Sequence, residues 1–142
     1  MADDDADDRQ MIREALEQSR PGPDLRFVTD GVELLDYLRR RGRFAPPAEA
    51  PWPGLILLDL NMPRKNGREA LAELKADTEL RRIPVVIMTT SKAEDDISCT
   101  YALGANSYIR KPVTFSGLVE VMRLLNQYWF HAVELPEDQT PR

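Results

Sequence analysis

The chain has one cysteine and one histidine in 142 residues, no long apolar run, and fewer cations than anions. Each shortage removes a class of function. With Cys99 alone there is no intramolecular disulfide, and the count fits a reducing cytosol. A thiol nucleophile lacks its usual base, because the sole histidine, His131, lies far along the chain in the final helical stretch. No segment approaches the apolar length of a membrane span, and the acidic start Asp3-Asp4-Asp5 is the opposite of a secretory signal. The expected location is the cytoplasm, with no membrane partner. A formal charge of −5 and a pI near 5.0 argue against nucleic acid as the partner. The basic run Arg39-Arg40-Arg41-Gly42-Arg43 is read as a helix C-terminus whose cations oppose the macrodipole, rather than as a phosphate-binding patch.

What is present is an alternation of helical and strand-like spacing over one domain. The spacing predicts a helix over residues 7–19, bearing Met11, Ile12, Ala15 and Leu16 and stopped by Pro21-Gly22-Pro23. A short strand follows over Leu25–Thr29, then a helix capped by Asp30 with Val32, Leu34, Leu35 and Leu38. After a proline-rich loop, residues 42–53, the segment 54–58 reads as a central strand buried on both faces. A helix from about Gly67 to Asp77, a strand over 84–89, a helix over 93–103 and a strand over 107–110 come next. The last helix runs from Phe115 to about Phe130, and the tail from Glu134 reads as frayed. Such alternation predicts an α/β fold with a doubly wound parallel sheet.

In a sheet of this kind the chemistry collects at the carboxyl edge. The predicted strands end in Asp59, Thr89 and Lys111, and the acidic cluster opens the chain. These types suit phosphoryl transfer to a carboxylate. Convergent carboxylates with a backbone carbonyl make a hard-oxygen site suited to Mg²⁺, which neutralises acceptor and phosphoryl oxygens together. A lysine supplies a fixed cation and a threonine a hydroxyl donor. Singly, each residue reads as a solvated tail, a strand residue or a surface charge. Their placement after separate apolar segments carries the signal.

The pieces Asp3-Asp4, Leu57-Leu58-Asp59-Leu60-Asn61-Met62-Pro63, Gly67, Pro84-Val85-Val86-Ile87-Met88-Thr89, Gly104-Ala105 and Tyr108-Ile109-Arg110-Lys111-Pro112 together resemble the receiver domain of two-component response regulators. The resemblance covers essentially the whole chain and implies a flavodoxin-like receiver fold with strand order 2-1-3-4-5. It implies that Asp59 is the phosphoacceptor, receiving its phosphoryl group from a sensor histidine kinase. It further implies that Asp4, Asp59 and the backbone carbonyl of Asn61 ligate Mg²⁺, with Asp3 acting mainly through a water. Lys111 and Thr89 would contact the phosphoryl group. Thr89 and Tyr108 would form a switch pair, the hydroxyl drawn toward phosphate as the ring moves inward. The repeated aspartates leave Asp4-Asp5 as an alternative acidic pair, although counting to the first helix favours Asp3-Asp4.

The long loop before Asp59, the run Met62-Pro63-Arg64-Lys65-Asn66-Gly67, Thr89-Thr90-Ser91 and Tyr128-Trp129-Phe130 are similar to the stand-alone regulators that partner phytochrome-type histidine kinases. On that reading residues 1–131 are the receiver domain and 132–142 a C-terminal tail, with no output domain. One departure stands out. The family's first strand precedes the acidic pair, and here only Met1 and Ala2 do. The first strand is therefore expected to be missing or truncated in the chain as given. A longer native chain, a borrowed strand and an atypical domain are the open explanations, the first preferred.

The last helix carries more apolar residues than one core stripe can hold. The excess predicts a homodimer through Leu125, Tyr128, Trp129 and Phe130, or else a tail packed on its own domain. Three functions compete: a signalling phosphoacceptor that switches a protein-interaction surface, an unphosphorylated receiver-fold binding module, and an aspartyl-nucleophile phosphatase. The phosphatase wants an aspartate two positions after its nucleophile, where this chain has Asn61.

Overall fold

The computed structural model describes residues 1–19 and 22–136. Strands β1 (Ile56–Leu58), β2 (Val85–Thr89) and β3 (Ser107–Arg110) form a parallel sheet in the order β1-β2-β3. Five α-helices surround it: α1 (Ala6–Glu17), α2 (Gly31–Arg39), α3 (Gly67–Ala76), α4 (Glu94–Ala102) and α5 (Phe115–Gln127). Beyond β1 the sheet continues as single-residue bridges, with Ala2 parallel to both Leu58 and Val28. The spatial order is thus the expected 2-1-3-4-5, its first two members reduced to a stub and one residue.

Four backbone bonds make that stub. Ala2 N–H donates to the Leu57 carbonyl (2.9 Å) and Asp59 N–H to the Ala2 carbonyl (3.0 Å). On the other side Val28 N–H donates to the Met1 carbonyl (2.9 Å) and Asp3 N–H to the Val28 carbonyl (3.0 Å). The strand expected over Leu25–Thr29 is accordingly a correction: only Val28 forms a bridge. A parallel strand needs a neighbour along its length, and Met1–Asp3 offers one only at Val28. Similarly, the strand expected over 54–58 is regular only from Ile56 to Leu58.

Alternation along the strands builds two cores. Ile56, Leu58, Val85 and Ile87 face α2 and α3, joining Leu34, Leu38, Leu71 and Leu74. Leu57, Val86 and Met88 face α1 and α5, joining Ile12, Leu16, Leu118 and Met122. Each such side chain contributes about 1.5–3 kcal/mol on burial. The helix starts are specified locally. Asp5, Asp30, Asn66 and Thr114 each accept a first-turn N–H, and Asn66 with Glu69 forms a capping box. The basic run does end α2: Arg39 closes it, and Arg40 turns the chain at φ 53°.

The last helix departs from expectation after Gln127, where Tyr128–Ala132 forms a π-helical turn. Leu125 belongs to the inner core, so the expected interface residue Leu125 is a correction. It continues the Leu118 and Met122 stripe at helical spacing, which turns it inward. Trp129 packs partly on the same cluster, whereas Leu124 and Tyr128 remain about half exposed (50% and 55%). Phe130 and Leu135 lie over Gly54, so the described part of the tail folds back on its own domain.

Gly67 is forced by close approach. Its N–H donates to the Leu60 carbonyl at 2.9 Å, and a Cβ there would lie 2.1 Å from the Asp59 carbonyl oxygen. Gly67→Ala therefore has to move the backbone that carries Asp59. The expected loss is roughly 3 kcal/mol, read from the shift in urea midpoint at unchanged m-value.

An apolar cavity of about 320 Å³ is lined by Met1, Leu16, Leu38, Trp52, Leu57 and Met122 among others. The Met1 amine is buried and donates to the Arg26 carbonyl at 2.7 Å. Burial lowers its pKa from 8.0 to about 5, against the opposing pull of Asp3. Between those values the unfolded chain binds a proton that the folded chain refuses. For a chain whose first residue is Met1, stability should therefore fall as pH drops from about 8 to about 5. An Nα-acetylated protein should lack that slope, up to about 1.4 kcal/mol per pH unit. Equal slopes in denaturant titrations of the two forms would place the amine in water.

Candidate functional site

The three strand ends and the stub meet at the carboxyl edge of the sheet, as the alternation requires. Asp59 follows β1 and is 6% exposed, with Thr89, the last residue of β2, wholly buried beside it. Lys111 follows β3 and is tied to β2 by its own N–H, which donates to the Thr89 carbonyl at 2.8 Å. Asp3 is wholly buried because Val28 and the Ala2 bridges hold its backbone in the sheet.

The two oxygens of Asp59 have different partners. Its Oδ1 accepts from the Thr89 hydroxyl at 2.8 Å and from the Asn61 N–H at 3.3 Å. Its Oδ2 accepts from Lys111 Nζ at 2.9 Å. The ammonium also lies 2.7 Å from Asp3 Oδ2 and 2.9 Å from Asp8 Oδ2. Burial would depress the Lys111 pKa, but the neighbouring carboxylates of Asp3, Asp59 and Asp8 outweigh it and hold the pKa above the ordinary lysine value. This lysine stays charged at any physiological pH. Burial pushes the Asp3 carboxyl upward, and Asp59 adds to that; Lys111 and the Asp5 N–H pull the other way.

Asp3, Asp4 and Asp59 each place a carboxylate oxygen within 4.8 Å of the others. Asp3 Oδ1 accepts from the Asp5 N–H at 2.9 Å. Asp3 Oδ2 is buried and, though close to Lys111, has no aligned hydrogen-bond donor among the described residues. A buried acceptor left in that state, beside two further carboxylates, is an oxygen-donor set that fits a hard divalent cation. Asn61 sits two residues beyond Asp59 with an exposed side chain. Asp5, the alternative member of the acidic pair, is instead committed to capping α1 through the Asp8 N–H.

The expected site residues Asp3, Asp4, Asp59, Thr89 and Lys111 therefore converge. Tyr108 stands apart from the carboxylates. Its ring packs against the α2–α3 core, and its hydroxyl donates to the Ser91 carbonyl at 3.0 Å. Ser91 Oγ in turn donates to Asp96, which also receives Arg68 from α3. Sequence reasoning missed Asp8 and Ser91. An aspartate in a first helical turn reads as a partner of the macrodipole, and only the fold brings Asp8 to a lysine 103 residues away.

Comparison with known proteins agrees with this geometry. Residues 1–123 match the response regulator receiver domain family. Response regulator Rcp1 of Synechocystis sp. is 37% identical over 136 residues, spanning 96% of this chain and 90% of that protein. The phosphorylated cyanobacterial phytochrome response regulator RcpA superposes with a TM-score of 0.86 at 42% identity, over 96% of this chain and 95% of that one. Response regulator RPA3017, in red light signaling of R. palustris, gives a TM-score of 0.89 at 38% identity, over 96% and 95%. The Mn²⁺-bound form of Rcp1 gives 0.86 at 37%, over 96% of each chain. No helix among the described residues is long and apolar enough to cross a membrane. By sequence match and by fold alike, the chain belongs to the response regulator receiver domain family, among whose members it is similar to phytochrome response regulators.

Proposed function

We propose that this protein is a phosphoacceptor of a two-component phosphorelay, taking a phosphoryl group on Asp59 from a phosphohistidine of a sensor histidine kinase, one of the phytochrome type. One observation carries the reading: a buried carboxylate whose two oxygens are divided between the Thr89 hydroxyl and the Lys111 ammonium. An Asp59 oxygen attacks phosphorus, a P–O bond forms as the P–N bond breaks, and the electron pair leaves on the imidazole nitrogen. Thr89 and Lys111 then supply donors for phosphoryl oxygens as charge develops there. Asp3, Asp4 and Asp59, with the Asn61 carbonyl, would hold Mg²⁺. Bound there, the cation supplies neutralisation of acceptor and phosphoryl charge. The product alters a protein-interaction surface, with Thr89 and Tyr108 as the pair that couples the site to it.

The Asn61 side chain has no acidic proton to give a leaving group, which weighs against the phosphatase reading. A pure binding module has no need of Asp59, Thr89 and Lys111 in contact. Similarity to phytochrome response regulators favours the phytochrome-type kinase, and the absence of a membrane-spanning helix among the described residues is consistent with a cytoplasmic location. Self-association is part of the same proposal, now through the exposed pair Leu124 and Tyr128 at helical spacing, with Phe130 and Trp129 flanking it.

Acetyl phosphate with Mg²⁺ should add one phosphoryl group by intact mass, and none to Asp59→Asn. Wild type that takes up none overturns the signalling reading, and repeated turnover of phosphomonoesters would favour the phosphatase. For association, light scattering should give a dimer mass for the wild type and a monomer mass for Leu124→Glu/Tyr128→Glu. A dimer that survives both substitutions rules this surface out.

A further inference from the structure

The Lys111 ammonium lies among three carboxylates: it donates to Asp59 and Asp8, each at 2.9 Å, and pairs by charge with Asp3 at 2.7 Å. Two of the three have other work on the proposed reading. Asp59 accepts the phosphoryl group, and Asp3 belongs to the cluster that fits a divalent cation. Asp8 lies outside that cluster. It sits in the first turn of α1, its side chain 29% exposed, fixed by its N–H to the Asp5 carboxylate at 2.9 Å. A second bond braces the same turn, since Arg9 Nη1 donates to the Asp3 carbonyl at 2.8 Å. Asp8 thus sits in a braced turn, and among the described residues its side-chain partner in the site is Lys111.

We propose that Asp8 is a positioning residue: it keeps the Lys111 ammonium at the sheet edge when cation and phosphoryl group claim Asp3 and Asp59. The inference rests on Asp59 being the phosphoacceptor. A lysine has a flexible four-carbon stem, and a long side chain loses up to about 2 kcal/mol of rotamer entropy when fixed. Without a retained acceptor the ammonium has to recover that ordering cost from the phosphoryl oxygen alone. With Asp8 in place, one N–H stays anchored and the one now on Asp59 turns toward the phosphoryl group. A carboxylate here also has an opposing effect. It adds negative charge beside an anionic donor, and repulsion alone would slow the transfer.

The two roles predict opposite signs, which makes them separable. The test measures the initial rate of phosphorylation by acetyl phosphate with saturating Mg²⁺ in wild type, Asp8→Ala, Asp8→Asn, Lys111→Met and the Asp8→Ala/Lys111→Met double variant, with Asp59→Asn as blank. Positioning predicts that Asp8→Ala slows the reaction roughly tenfold, the low end for loss of a group that orients a working side chain. Asp8→Asn, which keeps an acceptor oxygen, should recover part of that loss. In the Lys111→Met background Asp8→Ala should change nothing further, because the group it holds is gone. A simple loss of folding would instead slow the double variant again. Faster reaction in both Asp8 variants identifies Asp8 as a repulsive charge and overturns the proposal, as does a rate equal to wild type. If wild type itself takes up no phosphoryl group, the reading of Asp59 fails first and this inference with it.

Discussion

Ala2 is the residue on which the two halves of this domain depend. It has no side chain to speak of, yet it is wholly buried, and its backbone is hydrogen-bonded to Leu57 and Asp59. The residues on either side of it, Met1 and Asp3, are bonded to Val28. Those few bonds close the sheet between the α2 segment and β1. Each is worth only about 0.5–1.5 kcal/mol net, but leaving the groups buried and unpaired would cost more. They also have a functional consequence. Because Asp3 is the next residue along, the bonds that close the sheet aim its carboxylate at Asp59 and Lys111. The bridge at Ala2 holds Asp3 at the acidic side of the site, and helix α1 starts within three residues, its cap bracing the turn.

The site that results is an electrostatic compromise. Asp3 and Asp59 are buried carboxylates close together, an arrangement that repels unless a cation intervenes. Lys111 is that cation, and its raised pKa is the other side of the same coupling. The lysine cannot neutralise the whole cluster, since Asp4 and Asp8 add their own charges. The uncompensated remainder is what gives a divalent cation a reason to bind, and it accounts for the Asp3 oxygen that has no aligned donor.

Most of this was legible in the sequence where position alone decides chemistry. The runs ending in Asp59 and Thr89 are apolar and short, Lys111 closes a third short run, Ser107–Arg110, and helical spacing separates them, so a parallel sheet had to bring those ends together. What was illegible depends on partners far along the chain. Leu25–Thr29 has strand-like residues, but strand geometry needs a neighbour, and only Val28 has one. Leu125 and Leu124 are indistinguishable by type; the phase of α5 buries the first and exposes the second. Asp8 looked like any acid at a helix start. Its partner was settled by the tertiary packing of α1 beside α5, which no local pattern encodes.

The arrangement of Thr89 and Tyr108 bears on how the proposed switch could work. The Thr89 hydroxyl already points at Asp59, and the Tyr108 ring already lies against the core with its hydroxyl on the Ser91 carbonyl. These are the positions that the family resemblance associates with the phosphorylated state. A ligand shifts an equilibrium only by its differential affinity for the two states. If the inward state is populated before phosphorylation, the phosphoryl group has little work to do at Tyr108, and its bias must be exerted through other contacts. The chain of bonds from Tyr108 to Ser91, Asp96 and Arg68 joins the start of α4 to the start of α3. Of the α-helices α4 is the least anchored: it buries only Thr100 and has no side-chain cap at its start. With so little apolar burial to hold it, α4 is the element whose position those bonds can set. Ser91 takes part in two of those bonds, accepting from Tyr108 through its carbonyl and donating to Asp96 through its hydroxyl, so it ties β3 to the first turn of α4.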